Sequence, residues 1–265
     1  MIFLDDAIFI IEVKDKREEY LIDSLRGSGY NVCPFSNRTD DVNIKPIYVF
    51  SLTTRVDYDD LAKLPYGSIV FLNMLTDTTR EYAKLSNLIC IEYFKNEPFL
   101  IRNAILTAQG VLALILQNTA KTLKELSVML IGYGRVGKAC SLLFHDNNIN
   151  HAIVNRESKH LYEGLLLTES VFDINQFPYY IDEYEIIINT IPSLILTQSV
   201  IKNIRQDALI IDLASQPGGI DFNATKKHNI KSIHALGLPG RFAPKTAANY
   251  IKKLIIDNKE FKIIK

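Results

Sequence analysis

An α/β fold, built as two Rossmann-like domains with mostly parallel sheets joined by a long helix, is predicted by three observations. Short β-rich runs alternate with helix-patterned segments along the whole chain. Residues 101–124, IRNAILTAQGVLALILQNTAKTLK, are apolar on every side and contain no proline, the pattern of a buried connecting helix. Just beyond them the apolar run VMLI enters GYGRVG, three glycines spaced G-x-G-x-x-G, and then sequence able to form a helix.

Each element follows from its local pattern. AIFIIEV (7–13) is a short β-rich run, and KREEYLIDSLR places Tyr20, Leu21 and Leu25 at helical spacing before Gly27 and Gly29 end the helix. PIYVFSL, GSIVFLN and NLICIEYF read as three further buried strands, with TDTTREYAKLS a helix between the last two. Residues 1–100 thus form an α/β domain for substrate or partner, and 101–124 the connecting helix. In the second half, SVMLIG, HAIVN, EIIINTI, ALIIDLA and KSIHAL are strands separated by segments long enough for crossovers, which makes 125–244 a dinucleotide-binding Rossmann domain. The last stretch, 245–265, starts in PKTAANYIKKLIID, with Ala247, Ile251, Leu254 and Ile255 on one face. It is expected to be an amphipathic helix packing back on the domain junction.

Composition narrows the partners. With 265 residues, 48% of them hydrophobic, the chain can bury a full core, and its 30 basic residues balance 30 acidic ones. No net field draws nucleic acid or an anionic membrane, so neither is expected as a partner. The N-terminal apolar run is interrupted by acids and lacks a cleavage-like site, and no stretch is read as long enough to span a membrane. Cys33, Cys90 and Cys140 are odd in number and widely spaced, which reads as inert reduced thiols of a cytoplasmic protein. The five histidines are scattered without ligand spacing, so no metal is expected.

The glycine motif supplies the site chemistry. Gly132 makes the tight turn, Gly134 lets backbone approach a pyrophosphate, and Gly137 lets helix and strand pack closely. Arg135, Val136 and Gly137 bring the first N–H groups of the helix to the phosphates. At the tip of the next strand, where NAD enzymes carry an acid for the ribose, stand Asn155, Arg156, Glu157 and Ser158. Arg156 can stack on adenine and pair with a 2′-phosphate, and Asn155 and Ser158 can donate to it, which favours NADP over NAD; Glu157 is the competing feature. NTIPS places Thr190, Ile191, Pro192 and Ser193 at a strand's carboxyl end, and IDLASQPGGIDF places Leu213 and Ala214 at the next. In ALGLPGRFAPKTA, Lys245 and Thr246 start the last helix, where an ammonium beside helix-terminal N–H groups makes a carboxylate site.

Together VMLIGYGRVGKA, IIINTIPSLIL, LIIDLASQPGGIDF and ALGLPGRFAPKTA resemble the cofactor domain of the dipicolinate synthase A-subunit family, over about Asn103 to Ile255. The resemblance implies a two-domain protein that binds NADP. It further implies work with a flavoprotein-like second subunit to oxidise a dihydrodipicolinate-type precursor, a small cyclic dicarboxylate, to dipicolinate in sporulating cells. Ser193 and Lys245 would then hold a substrate carboxylate. Assembly of the chain with itself is left open.

The N-terminal half departs from that pattern. Where the family has G-G-D-x-R, this chain has Val13, Lys14, Asp15, Lys16 and Arg17, so the acid and the arginine remain as candidate catalytic residues without the glycines. The family's T-x-E-G reads Thr107, Ala108, Gln109, Gly110, with an amide at Gln109 in place of a carboxylate, and a preceding proline is replaced by Leu106. If that carboxylate is the general base, its loss removes proton transfer worth roughly 10²- to 10⁴-fold. Three readings stay open: the dipicolinate-forming subunit; a dehydrogenase for another small carboxylate, since Asn155 and Arg156 also resemble the N-R-T turn of shikimate dehydrogenases; and a subunit that binds NADP and a partner without chemistry.

Overall fold

The computed structural model describes residues 2–3, 7–37, 45–258 and 261–262. It divides into two compact units, the first of residues up to Asn103 together with those from Pro239 on, the second Ala104–Leu238.

In the first unit five parallel strands, β1 (Ala7–Ile11), β2 (Asn31–Pro34), β3 (Lys45–Val49), β4 (Ile69–Leu72) and β5 (Ile89–Glu92), lie in the order β2-β1-β3-β4-β5. Alternation decides which face each side chain meets. Phe9, Ile11, Ile47, Val49, Ile69 and Phe71 share one buried cluster with helix α1 (Lys16–Arg26), while Ile10, Tyr48, Phe50, Val70 and Leu72 share another. The second cluster takes in Leu61 of α2 (Tyr58–Ala62) and Ala83 of α3 (Asp77–Leu85). Fully burying one such side chain contributes about 1.5–3 kcal/mol. Strand β2 is not predicted from the sequence: NVCP is short and holds Pro34, which only an edge strand tolerates, and the edge is where it lies.

The connecting helix differs from its expected range. Helix α4 is Glu97–Asn118, not 101–124, and it includes Pro98 in its first turn, where the missing N–H costs nothing. The Asn96 side chain accepts from the Phe99 N–H (2.9 Å), and the Asn118 amide donates to Leu114 O (2.7 Å) where the helix ends. Nor is it buried all round: Leu106, Val111 and Ile115 are buried, but Ile101, Ile105 and Leu116 are exposed. By length and composition α4 is apolar enough to cross a membrane, against the expectation that no stretch would be.

The second unit carries six parallel strands: β6 (Ser127–Ile131), β7 (Asn150–Asn155), β8 (Val171–Asp173), β9 (Ile186–Asn189), β10 (Leu209–Asp212) and β11 (Lys231–His234). Their order is β11-β10-β9-β6-β7-β8, the doubly wound arrangement with its reversal between β6 and β9. Helices α5 (Arg135–Asp146), α6 (Ser158–Gly164), α7 (Gln198–Ile201) and α8 (Phe222–Lys227) connect them. Strand β8, three residues long, is unpredicted for the same reason as β2: so short a run carries no period. The chain then passes through α9 (Leu238–Phe242) into α10 (Pro244–Ile256).

Helix α10 belongs to the first unit and packs on α1, with Ala248, Ile251, Leu254 and Ile255 in the same cluster as Leu21 and Leu25. The two helices run parallel. Lys252 Nζ donates to Ser24 O (2.7 Å) and Ser28 Oγ (2.6 Å) at the end of α1, and Gly240, before α10, lies against Asp15 and Arg17 at its start.

Candidate functional site

The carboxyl edge of the second unit's sheet gathers most of the expected cofactor residues. Gly132 has φ +99°, and a Cβ there would run into Thr190 Oγ1 and lie 2.9 Å from Ile191 Cγ1, so both backbone and space demand glycine. Its N–H donates to Val154 O (2.8 Å), and Thr190 Oγ1 donates to Ile131 O (3.0 Å), which brings the ends of β6, β7 and β9 together. A Cβ on Gly137 would collide with Gly132 O, so this third glycine sets helix against strand. Gly134 is different. It is the exposed N-cap of α5, with extended backbone (φ −77°, ψ −161°) and no side-chain cap, and a Cβ there would meet no atom within 4 Å. No atom among the described residues requires glycine at that position, and the N–H groups at the start of α5 are open to an anion.

Two residues that no motif in the sequence singles out shape the loops beside this turn. Asn189 and Asp212, both wholly buried, end β9 and β10. The Asn189 amide donates to Asp212 Oδ1 (2.8 Å) and to Ile191 O (3.0 Å), and its oxygen accepts from Ile191 N (3.1 Å). Asp212 also accepts from Ala214 N (3.2 Å) and Gly219 N (3.1 Å), and Leu213 N donates to Asn189 O (2.9 Å). A buried carboxylate is costly unless hydrogen-bonded; here it clamps Ala214 and the Pro217-Gly218-Gly219 turn, while the Asn189 carbonyl holds Leu213. A Cβ on Gly219 would strike the Asn189 amide. The signal available in the sequence was a polar residue closing each of two apolar runs. Thr190 and Ile191 face the turn at Gly132, while Pro192 and Ser193 stand exposed beyond it.

At the tip of β7 the Asn155 amide nitrogen donates to His160 Nδ1 on α6 (2.8 Å). That donor, expected to face a 2′-phosphate, is therefore engaged within the protein. Arg156, Glu157 and Ser158 are exposed, with Glu157 Oε2 3.8 Å from His160 Nδ1. Arg156 has no ion pair among the described residues.

The expected catalytic residues are divided between the units. Asp15, Arg17 and Lys245 belong to the first, Ser193 and Gln109 to the second. Asp15 is the N-cap of α1 and forms a reciprocal box with Glu18, its carboxylate accepting from Arg17 N (2.8 Å) and from Arg17 Nη2 (2.6 Å) and Nε (3.0 and 3.1 Å). Burial works to raise the Asp15 carboxyl, but the Arg17 bonds and charge outweigh it and hold it below the ordinary range. Arg17 is only 3% exposed. Glu18, equally buried, is pushed up by that burial although it accepts from Asp15 N (2.9 Å) and Ser51 Oγ (2.9 Å). Lys245 is exposed at the start of α10, whose N-cap, Ala243, offers no side-chain bond. Gln109 is exposed on α4. Burial pushes the Cys140 thiol up to about 12 and Cys90 to about 11, which keeps both poor nucleophiles.

A doubly wound sheet with an uncapped glycine turn at its point of reversal, in one chain with a second parallel α/β unit, defines the dehydrogenase-type oxidoreductase architecture. Comparison with known proteins narrows it. The A subunit of dipicolinate synthase from Bacillus subtilis (strain 168) is 32% identical over 203 residues, which cover 75% of this chain and 68% of that protein. The crystal structure of the dipicolinate synthase A subunit from Bacillus halodurans matches with a TM-score of 0.83 at 23% identity, over 96% of this chain and 98% of that one. The corresponding Bacillus subtilis crystal structure matches at 0.80 and 25%, over 96% and 95%. A family model described as shikimate / quinate 5-dehydrogenase matches residues 114–236. The chain belongs to the dipicolinate synthase A-subunit family.

Proposed function

We propose that this chain is an NADP-binding oxidoreductase subunit that removes hydrogen from a dihydrodipicolinate-type cyclic dicarboxylate to form dipicolinate. Its setting is the cytoplasm of a sporulating cell, and its partner a flavoprotein-like second subunit. The observation that carries the nucleotide part is Gly134, a glycine that the fold leaves free at an uncapped helix N-terminus. The relative named as the A subunit of dipicolinate synthase supports the substrate class. A nicotinamide held by these residues would supply an acceptor for the hydride. The residues of this chain do the holding: Gly132 and Gly134 admit the pyrophosphate, Thr190 and Ile191 wall its turn, and Arg156 with Ser158 meets the 2′-phosphate. Lys245 and Thr246, at the start of α10, hold a substrate carboxylate.

The experiment is a calorimetric titration with NADPH. Gly134→Val fits the backbone and the space, so the variant folds, yet its side chain occupies the phosphate's approach, and binding is abolished. Unchanged affinity overturns the reading.

A second reading, binding without turnover, is favoured by two of the candidate catalytic positions, one in each unit. Arg17 is turned onto Asp15, and an amide stands at Gln109. Gln109→Glu supplies a proton acceptor that the amide lacks, so a gain in turnover of the dipicolinate precursor supports the catalytic reading. No turnover in either form supports the second.

A further inference from the structure

We infer that His160 is a positioning residue that decides which end of the Asn155 amide meets the 2′ position of the adenosine ribose, and with it the choice between NADPH and NADH. The inference rests on the nucleotide reading above and deepens it.

Asn155 ends β7, the position from which strand-tip residues of doubly wound folds reach the ribose. Its amide nitrogen donates to His160 Nδ1 at 2.8 Å, which requires that nitrogen to be unprotonated. The amide oxygen is then directed away from His160. An oxygen there accepts from a ribose 2′-hydroxyl and opposes a phosphate, whose oxygens only accept. Protonation reverses the arrangement: an imidazolium donates from both nitrogens, so the amide must turn over, give its oxygen to His160 and direct its NH₂ outward. Donors then face the 2′ position, and the imidazolium adds a positive charge beside Arg156. The donors, and a positive charge within hydrogen-bond reach of Asn155, favour the phosphate.

The charged surroundings of His160 are mixed. On its own helix stand Glu157, at 3.8 Å, Lys159 and Glu163; Lys138 of α5 pairs with Glu163 (2.7 Å). The Tyr133 ring lies edge-on at 6.4 Å, and Asp173 of β8 is in register with Asn155. The His160 side chain is 28% exposed, so proton exchange with solvent is open. The 2′-phosphate itself takes up a proton near pH ~6, which weakens its own binding as pH falls, so the histidine's share must be read against a variant that keeps the bond and cannot titrate.

His160→Gln is that variant, because its carbonyl accepts from Asn155 at every pH. Fluorescence titrations of NADPH and NADH against wild type and His160→Gln, from about pH 8.5 to 5.5, give the preference at each pH. As pH falls across this range, the preference for NADPH is expected to rise about threefold or more further in wild type than in the variant, with NADH affinity alike in both. An independent check uses the unaltered protein. By linkage, 2′,5′-adenosine diphosphate should raise the His160 imidazole titration followed by NMR, whereas ADP, without the 2′-phosphate, should not. Parallel pH profiles, or the same histidine titration with both fragments, overturn the inference and leave the nucleotide reading standing. Failure of both reduced cofactors to bind at any pH overturns both.

Discussion

In the first unit the turn from β1 into α1 is filled by the protein's own side chains: Asp15 caps the helix, Glu18 closes the box, and Arg17 is folded onto the capping carboxylate under Gly240. In the second unit the corresponding turn, β6 into α5, has a glycine for its cap, no side-chain bond and open space beyond it. Both turns leave the first strand of a parallel sheet, and both sheets reverse beside that strand. A helix N-terminus satisfied from within has little left to offer an anion, whereas one left bare is ready for it. The two units therefore share an architecture and differ in what fills this turn. In the first unit α10, where Lys245 stands, also starts without a side-chain cap.

The largest effects should come from testing the glycines against each other. Gly132→Val must accept a left-handed backbone and a collision with Thr190, and should destabilise the fold by about 4 kcal/mol or more in urea titration. Gly134→Val exchanges an accepted N-cap residue for a poor one and should cost only about 1 kcal/mol. Equal losses at the two positions would erase the distinction between a turn built for the fold and one built for a ligand.

Next is the clamp behind the open edge. Asp212→Ala leaves the Ala214 and Gly219 N–H groups and the Asn189 amide without their acceptor, at an expected cost of about 3 kcal/mol. NADPH affinity should fall with it, because Ala214 and the turn at Gly219 lose their anchor. Intact affinity at reduced stability would separate the clamp from the site.

The self-satisfied character of the first unit reappears at the end of β5. Burial would raise the Glu92 carboxyl, but bonds from Arg80 (2.8 and 3.1 Å), Lys95 (2.8 Å) and Leu75 N (3.1 Å) bring it to about 2. A folded value below the ordinary 4.5 means that the group stabilises the protein above that pH and that the contribution is lost as pH falls toward 2. Glu92→Gln should cost about 2 kcal/mol at neutral pH and flatten the stability profile between these limits. A profile as steep as wild type would assign the acid sensitivity elsewhere.

The smallest expected effect is at the rim. Arg156→Ala should weaken NADPH about tenfold, or 1.4 kcal/mol, and leave NADH unchanged, because a guanidinium gains from a phosphate and little from a hydroxyl. Tighter NADH binding by wild type would make Glu157, not Arg156, the residue that reads the ribose.

Most strands and the long helices were legible because their patterns are local: AIFII and VMLI are apolar through and through, and KREEYLIDSLR matches α1 residue for residue. The glycine turn was legible too, since its spacing and the flanking strand and helix lie within one stretch of chain. NVCP and VFD were not, for a strand of three or four residues exists only by pairing with its neighbour. The start of α4 was missed because Pro98 reads as a breaker unless its place in the first turn is known.

From the chain alone come the fold class, the glycine turn and the balance of charge that argues against polyanion partners, since each depends on composition or on residues near one another. Tertiary structure decided what each polar residue does. Asn189 meets Asp212 from 23 positions away, and Arg17 lies beneath Gly240, more than two hundred residues on. Hydrogen bonds reach about 3 Å in space and take no account of separation along the chain, so no local pattern could name these partners.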